Sequence, residues 1–141
     1  MLKKSGVTYW IDYGTLLGAA RNGKVIPHDH DIDFCFLGDE EDFNRVGELF
    51  KAAVSDPICY YAKDNGRSKQ HKLIHKDMQL NSLIKTKEDP DVYLGSVDIY
   101  HYVPEAEDTA YGHTTYSPAA GITHYTITKE NLHPIKEITI E

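Results

Sequence analysis

Three aspartates at alternate positions, Asp29, Asp31 and Asp33, lead into an apolar run ending at Leu37. Carboxylates at i and i+2 of a strand point to one face, where they repel each other unless a cation lies between them. For hard oxygen ligands that cation is Mg²⁺ or Mn²⁺. Upstream, Gly14-Thr15 opens a short apolar segment read as a helix. A helix N-terminus suits a phosphate, because its unpaired N–H groups and its dipole both favour negative charge. A phosphate cradle beside a divalent-ion site is the plan of a nucleotide-using transferase. A bare acidic triplet also occurs as an acidic turn at the start of a strand, so the metal reading needs a further ligand.

Asp98 is the candidate for that ligand. It sits in Ser96-Val97-Asp98-Ile99-Tyr100, and a buried carboxylate between apolar neighbours needs a partner. On an edge strand it would simply face water. If its strand pairs with the one that starts at Asp31, Asp98 faces Asp31 and Asp33, and the three hold one or two divalent ions, about 3.5–4 Å apart if there are two. Other polar clusters have simpler readings. Asp39, Glu40, Glu41 and Asp42 crowd a helix start, where the dipole favours acids. The lysines at 69, 72, 76, 85 and 87 read as solvated strand faces. His28 and His30 form an HxH pair that raises a zinc alternative. No HExxH is present, and His71 and His75 fall in a strand-like stretch where four-residue spacing carries no meaning.

The elements that must position these residues follow from periodicity. Val7 to Tyr13 is β-branched and aromatic and reads as a strand, with only a short lead before it. A helix over Thr15–Arg21 is expected, with Leu16, Leu17 and Ala20 as its apolar face, stopped by Asn22-Gly23. Pro27 interrupts the approach to a strand over Asp31–Leu37. Asp39–Val54 is the clearest helix, with Phe43, Val46, Leu49, Phe50 and Ala53 at three- and four-residue steps. Strands are expected at Ile58–Ala62, with a hairpin turn at Asp64-Asn65-Gly66, and as a pair between His71 and Thr86 that turns near Lys76-Asp77. Val92–Val103 reads as a long strand. Glu105–Gly121 shows no period, Ile122–Thr128 reads as a strand followed by one helical turn, and Ile135–Ile140 as a last strand. This order predicts an α+β fold with a mixed sheet flanked by helices.

At 141 residues the chain is sized for one domain, residues 1–141. The formal charge of −7, with no tight basic cluster, argues against nucleic acid as a partner. No stretch approaches the roughly 18–20 apolar residues of a membrane span. The opening Met1-Leu2-Lys3-Lys4 runs into Ser5-Gly6 rather than an apolar core, so no secretory leader is expected. Cys35 and Cys59 make no disulfide framework, and Cys35 is expected as a buried thiol.

Gly14-Thr15-Leu16-Leu17-Gly18-Ala19-Ala20-Arg21, followed by Val25-Ile26-Pro27-His28-Asp29-His30-Asp31-Ile32-Asp33, resembles the LicD and fukutin-related protein family, with its GTLLGxxR and IPWDxDxD motifs. Val97-Asp98-Ile99-Tyr100 looks like the family's later DIF strand, and Leu132-His133-Pro134-Ile135 is similar to its aromatic-Pro-Leu segment. The resemblance implies a nucleotidyltransferase fold. It also implies Mg²⁺- or Mn²⁺-dependent transfer of a phosphorylated alcohol, such as phosphocholine or ribitol phosphate, from a CDP-linked donor to a sugar hydroxyl of a glycan, with CMP leaving. On the matching positions, Asp31, Asp33 and Asp98 become the metal-binding acids and Asp29 a further catalytic carboxylate. Gly14, Thr15 and Arg21 become donor-binding residues. His28 stands where the family has Trp. The family's helix before the first strand and its continuation beyond the last are missing, so a domain short at both ends is expected. Two other readings use the same acids: a nucleotidyltransferase moving NMP from an NTP, and a non-catalytic nucleotide-binding module. The compartment stays open: cytoplasm for a bacterial or viral chain, Golgi lumen for a piece of a membrane-anchored eukaryotic relative.

Overall fold

The computed structural model describes residues 2–27, 29, 31–54, 59–65, 69–75, 96–117 and 120–137. Its centre is a parallel pair, β2 (Asp31–Leu37) and β5 (Ser96–Pro104), in register from Asp31↔Ser96 to Leu37↔Tyr102. Around this pair lie β1 (Thr8–Ile11), antiparallel to β2, and the hairpin of β3 (Cys59–Asn65) and β4 (Lys69–His75) on the far side of β5. The order is β1-β2-β5-β4-β3, and β6 (Ala110–Ser117) continues from the end of β5 and pairs with β7 (Gly121–Thr128). The described residues thus form a mixed sheet with few helices, the expected α+β class. No helix among them is long and apolar enough to cross a membrane.

Strict alternation along β2 and β5 makes two faces. One carries Phe34, Phe36, Val97, Ile99 and His101, and is covered by α3 (Glu40–Ala53). Phe43, Val46 and Phe50 of α3 reach that face at helical spacing, and Phe43 and Val46 are fully buried. Asp39 caps α3 reciprocally: its carboxylate accepts from Asp42 N–H, and the Asp42 carboxylate accepts from Asp39 N–H. Close packing is enforced at Gly47, where a Cβ would lie 2.7 Å from His71 Cε1 and 2.8 Å from Tyr61 Oη. The other face carries Asp31, Asp33, Cys35, Asp98, Tyr100 and Tyr102, and meets α2 (Tyr13–Asn22) and the β6–β7 hairpin.

Several elements differ from the sequence expectation. A helical turn, α1 (Leu2–Ser5), precedes β1 and buries Leu2 against Phe50 and Phe36, where only a lead was expected. The buried side of α2 is Thr15, Gly18 and Ala19, while Leu16, Leu17 and Ala20 are exposed. Small residues let the helix lie close to its loop: a Cβ on Gly18 would stand 2.5 Å from Lys24 O. β6 occupies part of the stretch that showed no period, because its inward positions are Tyr111 and His113 rather than aliphatics. The single turn α4 (Lys129–Leu132) follows β7 as expected. Residues 135–137 are not in a strand, and the rest of the expected last strand lies outside the described residues. Gly66, the second strand of the expected 71–86 pair with its turn, and residues 92–95 of the long strand also lie outside them.

Candidate active site

The register of the central pair sets Asp33 directly beside Asp98. Asp31, two residues earlier on the same face, joins them, and one carboxylate oxygen from each of the three lies within 4.8 Å of the others. Asp33 and Asp98 are buried, 6% and 2% exposed, and Asp31 is half-buried. Among the described residues this is the only group of three or more His, Cys, Asp or Glu side chains with such spacing.

Burial is the main cause that pushes the Asp33 carboxyl up to about 7, with repulsion from Asp31, Asp98 and Asp29 adding to it. Asp31 is pushed up to about 6, first by burial, then by its hydrogen bond with Asp29 and by the charges of Asp29 and Asp98. Both shifts report burial first and, added to it, a concentration of negative charge that Lys72 offsets only in part. Asp98 Oδ2 is paired with the Lys72 ammonium and accepts a longer bond from Tyr100 Oη at 3.4 Å, but its fully buried Oδ1 has no partner among the described residues. A buried carboxylate oxygen without a partner is costly. An oxygen-seeking divalent ion, drawing on three carboxylates, fits this donor set.

The start of α2 holds β2 in place. Asp33 N–H donates to Thr15 Oγ1 at 2.9 Å, and Asp12 N–H donates to Asp33 O at 3.2 Å. Thr15 is 1% exposed. The cradle expected at Gly14-Thr15 is therefore partly taken up by the protein: the Thr15 hydroxyl is turned onto β2, and the first N–H of α2, that of Tyr13, donates to the Asp12 carboxylate. Gly14 has a different task. A Cβ there would lie 2.2 Å from Asp29 Oδ2, so only glycine lets the Asp29 carboxylate approach the helix start. Asp29 in turn is within hydrogen-bond reach of Asp31. Arg21 stands exposed in the last turn of α2, which Gly23 closes in the left-handed conformation.

Sequence reasoning missed three parts of this surround. Lys72 was read as a solvated strand face, yet the β4–β5 register sets it opposite Asp98 and its ammonium reaches that carboxylate. Alternation within His71-Lys72-Leu73 carries the signal, but only once the strand's neighbours are known. Asp12 was not singled out. It caps α2 and accepts from Trp10 Nε1 at 3.2 Å and from the Cys35 thiol at 3.6 Å, and Cys35 is the buried thiol expected. An aromatic group of Tyr13, Tyr100, Tyr102, Tyr125 and His113 adjoins the acids. Tyr13 takes φ +50 to enter it, a strained conformation for a bulky residue, and its hydroxyl meets His113 Nε2. Burial lowers His113 to about 4, so the ring is neutral there.

The zinc alternative loses ground among the described histidines. His71 bonds Tyr61 Oη at 2.8 Å and Phe43 O at 2.8 Å, and His101 bonds Gly38 O at 2.8 Å, both inside the α3 face. His28 and His30 lie outside the described residues.

Comparison with known proteins agrees with this geometry. Ribitol 5-phosphate transferase FKRP of mouse and of human is 54% identical over 33 residues, 23% of this chain and 7% of that protein. An uncharacterized protein of Rickettsia typhi, RT0683, is 40% identical over 52 residues, 36% of this chain and 17% of that one. The matched stretch thus spans a small part of each relative's length. The family model of the LicD/FKTN/FKRP nucleotidyltransferase domain matches residues 6–141, and with nearly the whole sequence covered, this chain belongs to the LicD/FKTN/FKRP family.

Proposed function

We propose that this domain transfers a phosphorylated alcohol, of the phosphocholine or ribitol phosphate kind, from a CDP-linked donor to a sugar hydroxyl of a glycan, with CMP leaving. The observation that carries this reading is the pairing of Asp33 with Asp98, which gathers three carboxylates, one of them with a buried oxygen that has no partner among the described residues. That the FKRP relative, which shares 33 residues with this chain at 54% identity, is a ribitol 5-phosphate transferase supports the substrate class.

Asp31, Asp33 and Asp98 would hold Mg²⁺ or Mn²⁺. Bound there, the ion supplies charge neutralisation for the diphosphate and the departing CMP. The chain's own residues do the rest. Asp29, against Gly14 and in reach of Asp31, would take the proton of the attacking hydroxyl as its oxygen bonds to the distal phosphorus and the bond to the CMP oxygen breaks. Gly14 leaves the start of α2 open to the Asp29 carboxylate, and Arg21, in the last turn of the helix, would offer its charge to the donor. Thr15 acts from beneath, fixing the Asp33 backbone and hence the aim of its carboxylate.

The test is CMP release from CDP-choline, CDP-ribitol and CDP-glycerol with Mn²⁺ present, run beside the four NTPs. Release from one CDP-alcohol is expected. Turnover confined to NTPs would replace this reading with nucleotidyl transfer, and binding of Mn²⁺ and CDP without any turnover would leave a non-catalytic module.

A further inference from the structure

Among the described residues, Lys72 is the one cation whose partner lies inside the acidic site. The neighbouring lysines of the hairpin turn the other way: Lys69 pairs with Glu40, and Lys63 Nζ donates to Asn44 Oδ1 at 2.9 Å, both on the surface of α3. Lys72 is held in register from behind. His71 and Leu73, its sequence neighbours, are packed on the α3 face, and His71 is fixed by Tyr61 Oη and Phe43 O. A one-residue slip of β4 would drive the lysine into that core, so the sheet specifies its position. Its side chain is 32% exposed, while Asp98, its partner, is 3% exposed.

The two oxygens of Asp98 are therefore unequal. Oδ2 is occupied by the ammonium and by the Tyr100 hydroxyl, whereas Oδ1 is buried and has no partner among the described residues. A carboxylate with both oxygens open could serve two ions; with Oδ2 taken by Lys72, Asp98 would have one oxygen left to offer. We propose that Lys72 is a positioning residue that takes the place of a second divalent ion, orienting Asp98 through Oδ2 and leaving Oδ1 for a single Mg²⁺ or Mn²⁺. The inference rests on the metal reading above and goes beyond it by setting the number of ions and naming the residue that sets it.

The experiment counts Mn²⁺ bound to the purified chain, by calorimetry and by loss of the free-ion electron paramagnetic resonance signal, with no nucleotide present. One Mn²⁺ per chain is expected for the native protein and for Lys72→Arg. Two are expected for Lys72→Met, with the first bound at least tenfold more tightly. Without metal, Lys72→Met should melt lower by on the order of 5 °C, because a buried carboxylate has lost its partner. Mn²⁺ should restore that loss. The double variant Lys72→Met/Asp98→Asn, which removes both charges, should melt near the native protein and bind no second ion, which separates the ion count from folding. A count of one in a folded Lys72→Met would overturn the role of Lys72 while leaving the metal site standing. Failure of the native protein to bind Mn²⁺ would remove the metal site itself, and the inference with it.

Discussion

The two faces of the central sheet are built from the same strands in alternation, yet they treat polar groups in opposite ways. On the α3 face, buried histidines are kept neutral and most of their nitrogens are satisfied. His71 stacks on Phe43 with ring centroids 4.2 Å apart, His101 stacks between Phe36 and Phe43, and each bonds a backbone carbonyl. On the opposite face, three carboxylates crowd together, two of them buried, with one ammonium against them and one oxygen left bare. A polar group with its partners in place stabilises a core or is neutral to it, whereas like charges held together cost stability unless a ligand arrives. The α3 face is organised for folding and the acidic face, on the function proposed above, for binding, and the single register of β2, β4 and β5 imposes both arrangements.

Substitution on each face should separate the two tasks. Phe43→Ala removes the ring between two histidines and should cost about 3–5 kcal/mol by urea denaturation, enough to unfold much of the population. Asp33→Asn should cost nothing in the metal-free protein, and should raise its stability, because it removes a charge from a repelling group. The same change should lower Mn²⁺-dependent CMP release by about a thousandfold or more. If Asp33→Asn unfolds the chain, the acidic face is structural and the contrast fails.

The carboxylates and the buried histidines, His113 beside the acids included, should also titrate with opposite sign. Burial lowers His71 to about 4 from an ordinary 6.5, so the native state binds fewer protons than the unfolded chain. The stability tied to it is present above pH 6.5 and is lost as pH falls toward 4. Asp31 and Asp33 are raised from 3.8 to about 6 and about 7, so their contribution is present below 3.8 and is lost as pH rises through those values. Between pH 4 and 6.5 the two trends oppose each other. In EDTA, denaturation of the native protein should therefore change little over that window, while Asp33→Asn should gain stability as pH rises. Mn²⁺ affinity should weaken on acidification from pH 8 to 6, as protons compete for Asp33.

The same contrast explains what could be read from the sequence. The limits of β2, the capped α3 and the pairing of acids two residues apart all follow from local pattern, and the structure bears them out. The meeting of Asp98 with Asp33 needed one assumption about strand neighbours, and the observed register meets it. Lys72 needed a second neighbour, β4 beside β5, and a lone lysine in a polar strand gives no hint of it. The face of α2 was misread because its packing is set by Gly18 and Ala19, which allow close approach, and not by the larger Leu16 and Leu17. β6 was missed because Tyr111 and His113, though buried, do not produce the apolar alternation by which strands are recognised.

Thr15 joins the faces to the helix, and it offers a finer probe. Thr15→Val keeps the shape but leaves the buried Asp33 N–H without its acceptor, at a cost of about 1–3 kcal/mol. Thr15→Ser keeps the acceptor and should restore most of that stability. Because the bond fixes the residue that carries a ligand, Thr15→Val should also weaken Mn²⁺ binding, and the serine variant should recover it. Loss of stability with unchanged Mn²⁺ affinity would confine Thr15 to the fold.

The smallest effect is expected from Asp39→Ala at the start of α3. The variant removes the acceptor for Asp42 N–H from a capping box exposed to water, so the loss should be about 1 kcal/mol. Asp39, Glu40, Glu41 and Asp42 are the densest acidic run in the chain, and composition alone would nominate them as an ion site. Their carboxylates are already used within α3 and its neighbours: Asp42 by Asp39 N–H and by Arg45, and Glu40 by Lys69. Mn²⁺ count and affinity should therefore be the same in Asp39→Ala as in the native protein, measured by the same calorimetry. A reduced count would mean that the ion is held by the helix start, and that charge density rather than burial and register selects the binding face.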